Sequence, residues 1–592
     1  MKLIRLKIED ERGFRSLKKG FEINFQSDFV DSESNDFYPY VLAGQNGSGK
    51  SNVLEALAEI FYHLDCIYTS YKPDYFNKSD DNPKGFDSTV SRIDAFELEY
   101  YTFLDQDIFP FIKNKFKKAH IFIKKIIGMR PHIFFLNKHE FEIGEELTQQ
   151  ESKSLLPKYV VGYASGNNET LSFPFIKSRF LQFDEYLSNL ASREFVSPKP
   201  ESSLIYLDEA YSQAILLSNF LMLDNVDDDT EHIDLLTPLK KYVGVEDIDS
   251  FRLIIRNDIV IIPPQNSNFK KEDVKKVRLL QNLDFKNIFV EKELNKNYNA
   301  TSYIEKLKSC ATTWYDNYLM DLDDKTLEED YNKSYLYLDF KVDDETKKAF
   351  QFHFDKDPLK LFELFQMLLL QDLYKVPEGA KKNIYTTQNV FLNQDIGYLP
   401  DEINRIFRFK YLKIKKNNVE ETIYTKELSD GEHQLLHTLG LCILYRKKRC
   451  LFLFDEPETH FNPDWKARYL TSVRKCFNDI NAEAEMLITT HSPYLISDSD
   501  KKHVRIFKKI LKENNRIVCN SPQFQTLGSS INKITIEIFG ADITIGDYAL
   551  SKLDKIDERF KLGENVEMLL GELDEQLGDS VEKTLLKHTL LK

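Results

Sequence analysis

Three glycines, a lysine and a serine stand in the run Gly44-Gln45-Asn46-Gly47-Ser48-Gly49-Lys50-Ser51, at the spacing G-x-x-x-x-G-K-[ST] of a phosphate loop. Glycines let successive backbone N–H groups turn inward on an anion, and a helix that starts at the loop adds its dipole. At this spacing Lys50 reaches the β- and γ-phosphates of ATP, and the Ser51 hydroxyl ligates Mg²⁺. We assign Gly44, Gln45, Asn46, Gly47, Ser48, Gly49, Lys50, Ser51 and Asn52 to nucleotide binding, with Lys50 also counted as catalytic.

Three distant segments complete that chemistry. Cys450-Leu451-Phe452-Leu453-Phe454-Asp455-Glu456-Pro457-Glu458 is an apolar run ending in acids. A carboxylate at the C-terminal end of a parallel strand faces a ligand crevice. Asp455 is placed there to hold Mg²⁺, and Glu456 to polarise the attacking water. Leu204-Ile205-Tyr206-Leu207-Asp208-Glu209 has the same form, but Ala210 replaces the proline and no signature-type segment precedes it, so we set it aside. Met486-Leu487-Ile488-Thr489-Thr490-His491-Ser492-Pro493 is a second buried run. A lone histidine is usually structural; in this company His491 reads as a γ-phosphate contact that tells ATP from ADP. Leu428-Ser429-Asp430-Gly431-Glu432 precedes a helical pattern at Leu435, Leu436, Leu439 and Ile443. Ser429 and Gly431 can offer a hydroxyl and free N–H groups to an anion. On its own the pentapeptide reads equally well as a helix cap, with Ser429 as N-cap and Glu432 as its capping-box partner.

These groups must be positioned by elements, and the pattern supplies them. Val41-Leu42-Ala43 reads as the end of a buried strand, and Val53, Leu54, Leu57, Ile60 and Phe61 share one face of a helix after the loop. Residues 1–25 read as two strands, with further strands at Ala95–Thr102, His120–Lys125, His132–Leu136 and Tyr159–Tyr163. From about 190 to 405 the pattern turns helical with occasional strands, such as Ser334–Val342. Strand and helix then alternate again, with a helix expected near Pro463–Cys476. A chain of 592 residues needs two or three domains. A net charge of −15 argues against broad attraction to nucleic acid, though it leaves room for a local basic face. Six cysteines without a C-x-x-C pair fit a reducing cytosol, and no run of about 18 apolar residues predicts a membrane span.

Taken together, the four segments resemble the ABC-type ATPase heads of the RecF/SMC class, and more closely the OLD-family and Septu PtuA-type ATPases. Asp455-Glu456-Pro457-Glu458-Thr459-His460-Phe461-Asn462-Pro463 is similar to the DEPExHxxP form of the OLD-like branch. Gly13-Phe14-Arg15-Ser16 resembles the NFRSF turn, whose arginine touches nucleotide, which adds Arg15 to the binding set; Gly13 stands where Asn is usual. The stretches GFRSL, GSGKSNVLEALA and LSDGEHQLLHTLGL are most similar to restriction-system-associated ATPases of bacterial defence loci. The resemblance covers roughly residues 1–190 and 406–545.

It implies an α/β fold: a P-loop ABC-ATPase head, with a mixed sheet, flanking helices and an antiparallel β subdomain, split by a mainly helical insertion. The expected division is 1–190, 191–405 and 406–592. It also implies ATP and Mg²⁺ as cofactors. Ser429 and Gly431 of a second head would complete each site, so a homodimer or higher homo-oligomer forms through ATP. A Q-loop glutamine would help hold the metal; Gln182 is one candidate, and the Ser165–Thr170 loop is a competing location. Some features depart from relatives. Long heptads are lacking, Asp430 replaces the first glycine of LSGGQ, and Asp554, Asp557 and Glu572 show no Toprim arrangement and read as a solvated helix face.

The function so implied is a cytoplasmic, ATP-hydrolysing subunit of an anti-phage or restriction-associated defence complex. It would carry no nuclease of its own and would control a separate nuclease or effector subunit, with DNA as a further partner. A RecF-like repair ATPase and a nucleotide-bound scaffold with little turnover are the alternatives, and a transporter subunit fits least. Basic clusters occur at Lys113, Lys115, Lys117 and Lys118; at Lys270, Lys271, Lys275, Lys276 and Arg278; and at Arg405, Arg408, Lys410, Lys413, Lys415 and Lys416. Each reads first as a solvated face. The third is interleaved with Phe407, Phe409, Tyr411 and Leu412 and reads as one side of a strand, with a turn at Asn417-Asn418.

Overall fold

The structure is a computed structural model. It describes residues 1–591 except 26–36, 70, 79–84, 106, 110–116, 142–146, 167–168, 193–202, 207, 224–234, 262–276, 281–287, 290–298, 301, 317–333, 388–399, 478–482, 511–514 and 541–544. Lys113, Lys115, Lys270, Lys271, Lys275 and Lys276 lie outside the described residues, as does Leu207.

The apolar runs of the sequence become a central sheet of seven strands. Its order is Arg516–Asn520, Val504–Ile510, Tyr40–Gly44, Glu485–Thr490, Cys450–Asp455, Tyr159–Ala164, Leu204–Tyr206. All neighbours are parallel except the edge strand Arg516–Asn520. The runs are continuous because both faces of the sheet are buried. Leu42, Val160, Leu451, Leu453 and Leu487 pack on one side with the helix Lys50–Tyr68. Val41, Val161, Phe452, Phe454 and Ile488 pack on the other, with the helix Asp430–Tyr445. The set-aside run Leu204–Tyr206 forms the sheet's outer edge, beyond residue 191, and Asp208 after it pairs with Arg179 at 3.2 Å.

A second sheet, wholly antiparallel, is ordered Phe21–Asn24, Lys2–Ile8, Phe96–Phe103, Lys118–Lys125, His132–Phe135. Phe96–Phe103 alternates buried and half-buried side chains, the pattern of a sheet with one face on the core. Arg449, at the foot of the acidic strand Cys450–Asp455, ties this sheet to the first. Its guanidinium donates to the carbonyls of Phe103 and Ser154, both at 2.8 Å.

In the described part of 191–405 helix outweighs strand, including Ser212–Leu223, Asp344–His353, Pro358–Leu370 and Glu378–Thr386. The segment also supplies three strands of a five-stranded antiparallel sheet, ordered Thr313–Asp316, Tyr335–Lys341, Val245–Arg256, Phe407–Lys416, Ile423–Tyr424. Its helices join the core of the central sheet. The helix Ser212–Leu223 meets the helix Asp430–Tyr445 at Gly440, where a Cβ would lie 2.3 Å from Ile215 Cγ2 and whose carbonyl accepts from Asn219. Past the central sheet, Asp547–Lys561, Val566–Gln576 and Val581–Leu590 gather around Leu553, Ile556, Leu569, Leu573 and Leu590. Asp557 and Glu572 pair there with Lys561 and Arg559, as a solvated face requires.

Candidate nucleotide-binding site

The strands Tyr40–Gly44, Glu485–Thr490 and Cys450–Asp455 are consecutive neighbours, so their C-terminal ends open on one crevice. Gly44, Gly47 and Gly49 all have positive φ (148°, 71° and 89°), and the helix begins at Lys50. Left-handed glycines turn the loop's N–H groups toward a common point. Lys50 Nζ donates to the carbonyls of Gly44 (3.0 Å) and Gln45 (3.2 Å) and lies 2.8 Å from His491 Nε2. Burial pulls the Lys50 ammonium down to about 8, against the pull of Glu456 and Asp455. Burial, and then Lys50, push His491 down to about 4. His491 is therefore neutral, its Nε2 accepts the lysine proton, and its 3.4 Å approach to Glu456 is not an ion pair.

Ser51 donates to Asp455 Oδ1 at 2.7 Å, and the Thr489 hydroxyl donates to the same oxygen. Glu456 follows with φ 50°, a costly angle for a residue with a Cβ. Its N–H is held by the Thr489 carbonyl (3.2 Å) and hydroxyl (3.1 Å), and its carbonyl by Thr459 Oγ1 (2.9 Å). Burial, then the neighbouring Asp455, raise the Glu456 carboxyl, with Lys50 opposing. The bend thus presents a basic carboxylate beside His491.

A magnesium-bound triphosphate fits these residues. Ser48 is 2 % exposed and its Oγ has no hydrogen-bond partner, and nothing lies within 4 Å of a Cβ built at Gly47. The hydrogen bonds of Lys50 go to two carbonyls and an imidazole, and the Ser51–Asp455 pair offers a hydroxyl and a carboxyl oxygen, the hard donors Mg²⁺ takes alongside phosphates. Among the described residues, no group of three or more His, Cys, Asp or Glu offers an all-protein metal site.

The Gly13-Phe14-Arg15-Ser16 turn is brought to the loop: Asn52 donates to Ser16 Oγ, and Arg15 Nε donates to Glu55 at 3.1 Å. Thr170 donates to the other oxygen of Glu55 at 2.6 Å. Gln182 is not brought there. It is buried within the helix Glu169–Ser192, twelve residues past Thr170, or about 18 Å along the axis. The competing loop after Ala164 does lie beside Asp455: Ser165 N donates to the Asp455 carbonyl (3.1 Å) and Ser165 Oγ meets Thr459 Oγ1 (2.8 Å). Residues 167–168 of that loop are outside the described set.

Ser429 caps the helix Asp430–Tyr445 in a capping box with Glu432, its N–H donating to Glu432 Oε2 at 2.9 Å. Ser429 is exposed, and among the described residues its side chain bonds Glu432 rather than the phosphate loop of its own chain. Gly431 is fixed by close approach: a Cβ there would stand 2.8 Å from the His460 carbonyl, while Gln434 accepts from His460 N at 3.0 Å. The signature and the segment after the acidic strand are therefore one unit.

Two contributors were missed from sequence. Glu458, 3 % exposed and pushed up to about 7 by burial, accepts from Thr490 and links the acidic strand to the histidine strand. The helix Ile531–Phe539 also reaches the loop. Gln45 Nε2 donates to the Phe539 carbonyl at 2.7 Å, and the Phe539 ring lies 6.1 Å from the His491 ring. Glu458 sat inside a quoted motif; the Phe539 contact had no local signal.

The profile of the AAA ATPase domain family matches residues 1–496. Protein ea59 of Escherichia phage lambda is 27 % identical over 139 residues, 24 % of this chain and 25 % of that protein, so the similarity spans about a quarter of the relative's length. The SMC head domain from Thermotoga maritima superposes with a TM-score of 0.30 and 8 % identity, covering 88 % of this chain and 100 % of that one.

Proposed function

We propose that this chain, which belongs to the AAA ATPase domain family, binds Mg²⁺–ATP in the crevice at Lys50 and hydrolyses it as one subunit of a larger assembly. The observation that carries this is the meeting of three distant segments at one point: Lys50 with His491, and Ser51 with Asp455, beside Glu456. Lys50 and the loop N–H groups bind and orient the phosphates, and Ser51 and Asp455 hold Mg²⁺, which neutralises phosphate charge when bound. Glu456, its basicity raised by burial, orients a water and takes its proton. His491 donates a hydrogen bond to the terminal phosphate. Arg15 braces the first turn of the helix through Glu55.

Within this reading the head comprises residues 1–190 and 406–592 around the 191–405 insertion, with Leu204–Tyr206 lent back to its sheet. Ser429, exposed at the helix N-terminus, and Gly431, buried behind it, complete the site of a second copy, so ATP joins two heads and hydrolysis releases them. The resemblance of GFRSL, LSDGEHQLLHTLGL and DEPETHFNP supports an anti-phage or restriction-associated complex whose nuclease or effector is a separate subunit. Glu456→Gln tests the core of this. Turnover should fall by about 10²-fold or more, the usual contribution of a positioned base, while ATP stays bound and dimers accumulate on size exclusion. Wild-type turnover in that variant removes Glu456 from the role.

A further inference from the structure

The five-stranded sheet has an outer face that the nucleotide site does not use. Its register sends Leu336, Leu338, Phe251, Leu253, Ile255 and Phe407 to the core, where Phe409 packs edge-on against Phe365 of the helix Pro358–Leu370. The alternate residues turn the other way. Tyr315 stands opposite Tyr337, Tyr337 opposite Ile254, and Ile254 opposite Arg408. Asp339 stands opposite Arg252, and Arg252 opposite Lys410. Tyrosines and cations therefore share one surface across four strands.

Tyr315 is exposed, Tyr337 half-buried and Tyr335 buried. Tyr315 and Tyr337 are stacked with centroids 6.2 Å apart, and Tyr335 lies 6.1 Å from Tyr337. Between Lys410 and Lys413 the register shifts, and Tyr411 adopts φ 52°, which turns its ring to solvent at 60 % exposure. The Arg252 guanidinium lies over both Tyr337 (5.7 Å) and Tyr411 (5.8 Å), Arg408 over Tyr335 (5.6 Å), and Lys413 over Tyr424 (5.2 Å). Some of this charge is matched: Arg252 is held by Asp339 at 2.7 and 2.8 Å, and Lys410 by Glu402. Some is not. Among the described residues Arg408 Nε is buried without a hydrogen-bond partner; Asp372 and Glu402 attract Arg408 without forming a close ion pair with it, and Lys413 has no ion pair. In a chain of net charge −15, this is a local surface that calls for anions.

We propose that this face binds single-stranded nucleic acid, with bases stacked on Tyr315, Tyr337 and Tyr411 and phosphates on Arg408, Lys410 and Lys413. The exposed Tyr315 and Tyr411, with the half-buried Tyr337, suit unpaired bases, whose π-faces are free, and the cations among them suit the backbone. A duplex hides its base faces, and an acidic peptide has nothing flat to lay on the rings. The proposal stands independently of the ATPase reading, since none of these residues touches the phosphate loop.

The test is fluorescence anisotropy of a labelled oligothymidylate with the full chain, without nucleotide, from about 50 to about 300 mM salt. The single strand should bind, more tightly than a duplex of mixed sequence. Tyr315→Ala with Tyr337→Ala should weaken it about tenfold or more, and Tyr337→Phe should restore a stacking ring and most of the affinity. Arg408→Ala with Lys413→Ala should weaken binding and flatten its salt dependence. Basal ATP hydrolysis and the melting temperature should be unchanged in the arginine–lysine variant. Absence of binding at the lowest salt, equal binding of duplex, binding indifferent to all these substitutions, or equal competition by polyglutamate would each overturn it.

Discussion

Binding of Mg²⁺–ATP above neutral pH should carry a proton onto Lys50. The ammonium is buried with two carbonyls and a neutral imidazole as its hydrogen-bond partners, and burial draws it down to about 8. A triphosphate laid beside it supplies the missing negative charge and restores the cation. At pH 8 about half of the free sites hold a neutral Lys50, so each binding event takes up about half a proton; near pH 7 the figure is about a tenth. The sign follows directly. Raising the pH strips the free site of a cation that the bound state needs, so affinity falls, by about tenfold or about 1.4 kcal/mol between pH 7 and 9. The ligand adds no step of its own here, since the second pKa of a phosphate is about 6. Calorimetric titration of Glu456→Gln in buffers of different ionisation enthalpy measures the uptake, which should exceed the native figure because the variant lacks one of the two carboxylates that raise Lys50. His491→Gln should retain it, because His491 is already neutral at pH 8. Affinity flat from pH 7 to 9, with no proton taken up at pH 8, would refute the reasoning.

Gly440→Ala should destabilise the fold by about 1–3 kcal/mol in urea unfolding, because the new methyl enters Ile215 where the helices touch. Thr489→Val removes the hydroxyl that serves both Asp455 and the Glu456 N–H; stability should drop by about 1–3 kcal/mol and Mg²⁺-dependent turnover should fall with it. Gln45→Ala releases the Phe539 carbonyl at a cost of about 0.5–1.5 kcal/mol, read as faster amide exchange in Ile531–Phe539 than in the helix Pro463–Lys475.

Much of the central sheet was legible because its strands are buried on both faces, which forces continuous apolar runs such as Cys450–Asp455 and Glu485–Thr490. The phosphate loop was legible because its spacing is set by the anion. Val245–Arg256 was not read as a strand. Its buried positions Val245, Ile248 and Phe251 recur every third residue, a helix-like spacing, because register shifts against Phe407–Lys416 break the period of two. Gln182 lies buried in the helix Glu169–Ser192, whereas the neighbourhood of Asp455 is decided by the pairing of Cys450–Asp455 with Tyr159–Ala164, which no local pattern around Gln182 encodes. The Gln45–Phe539 contact joins positions 494 residues apart, and no local pattern encodes such a closure.

The central claim is tested most directly by a crystal structure of Glu456→Gln grown with Mn²⁺ and ATP. One anomalous manganese peak should sit between Ser51 and Asp455, with the terminal phosphate in contact with Lys50 and His491. Nucleotide bound elsewhere, or manganese remote from that pair, would contradict the account.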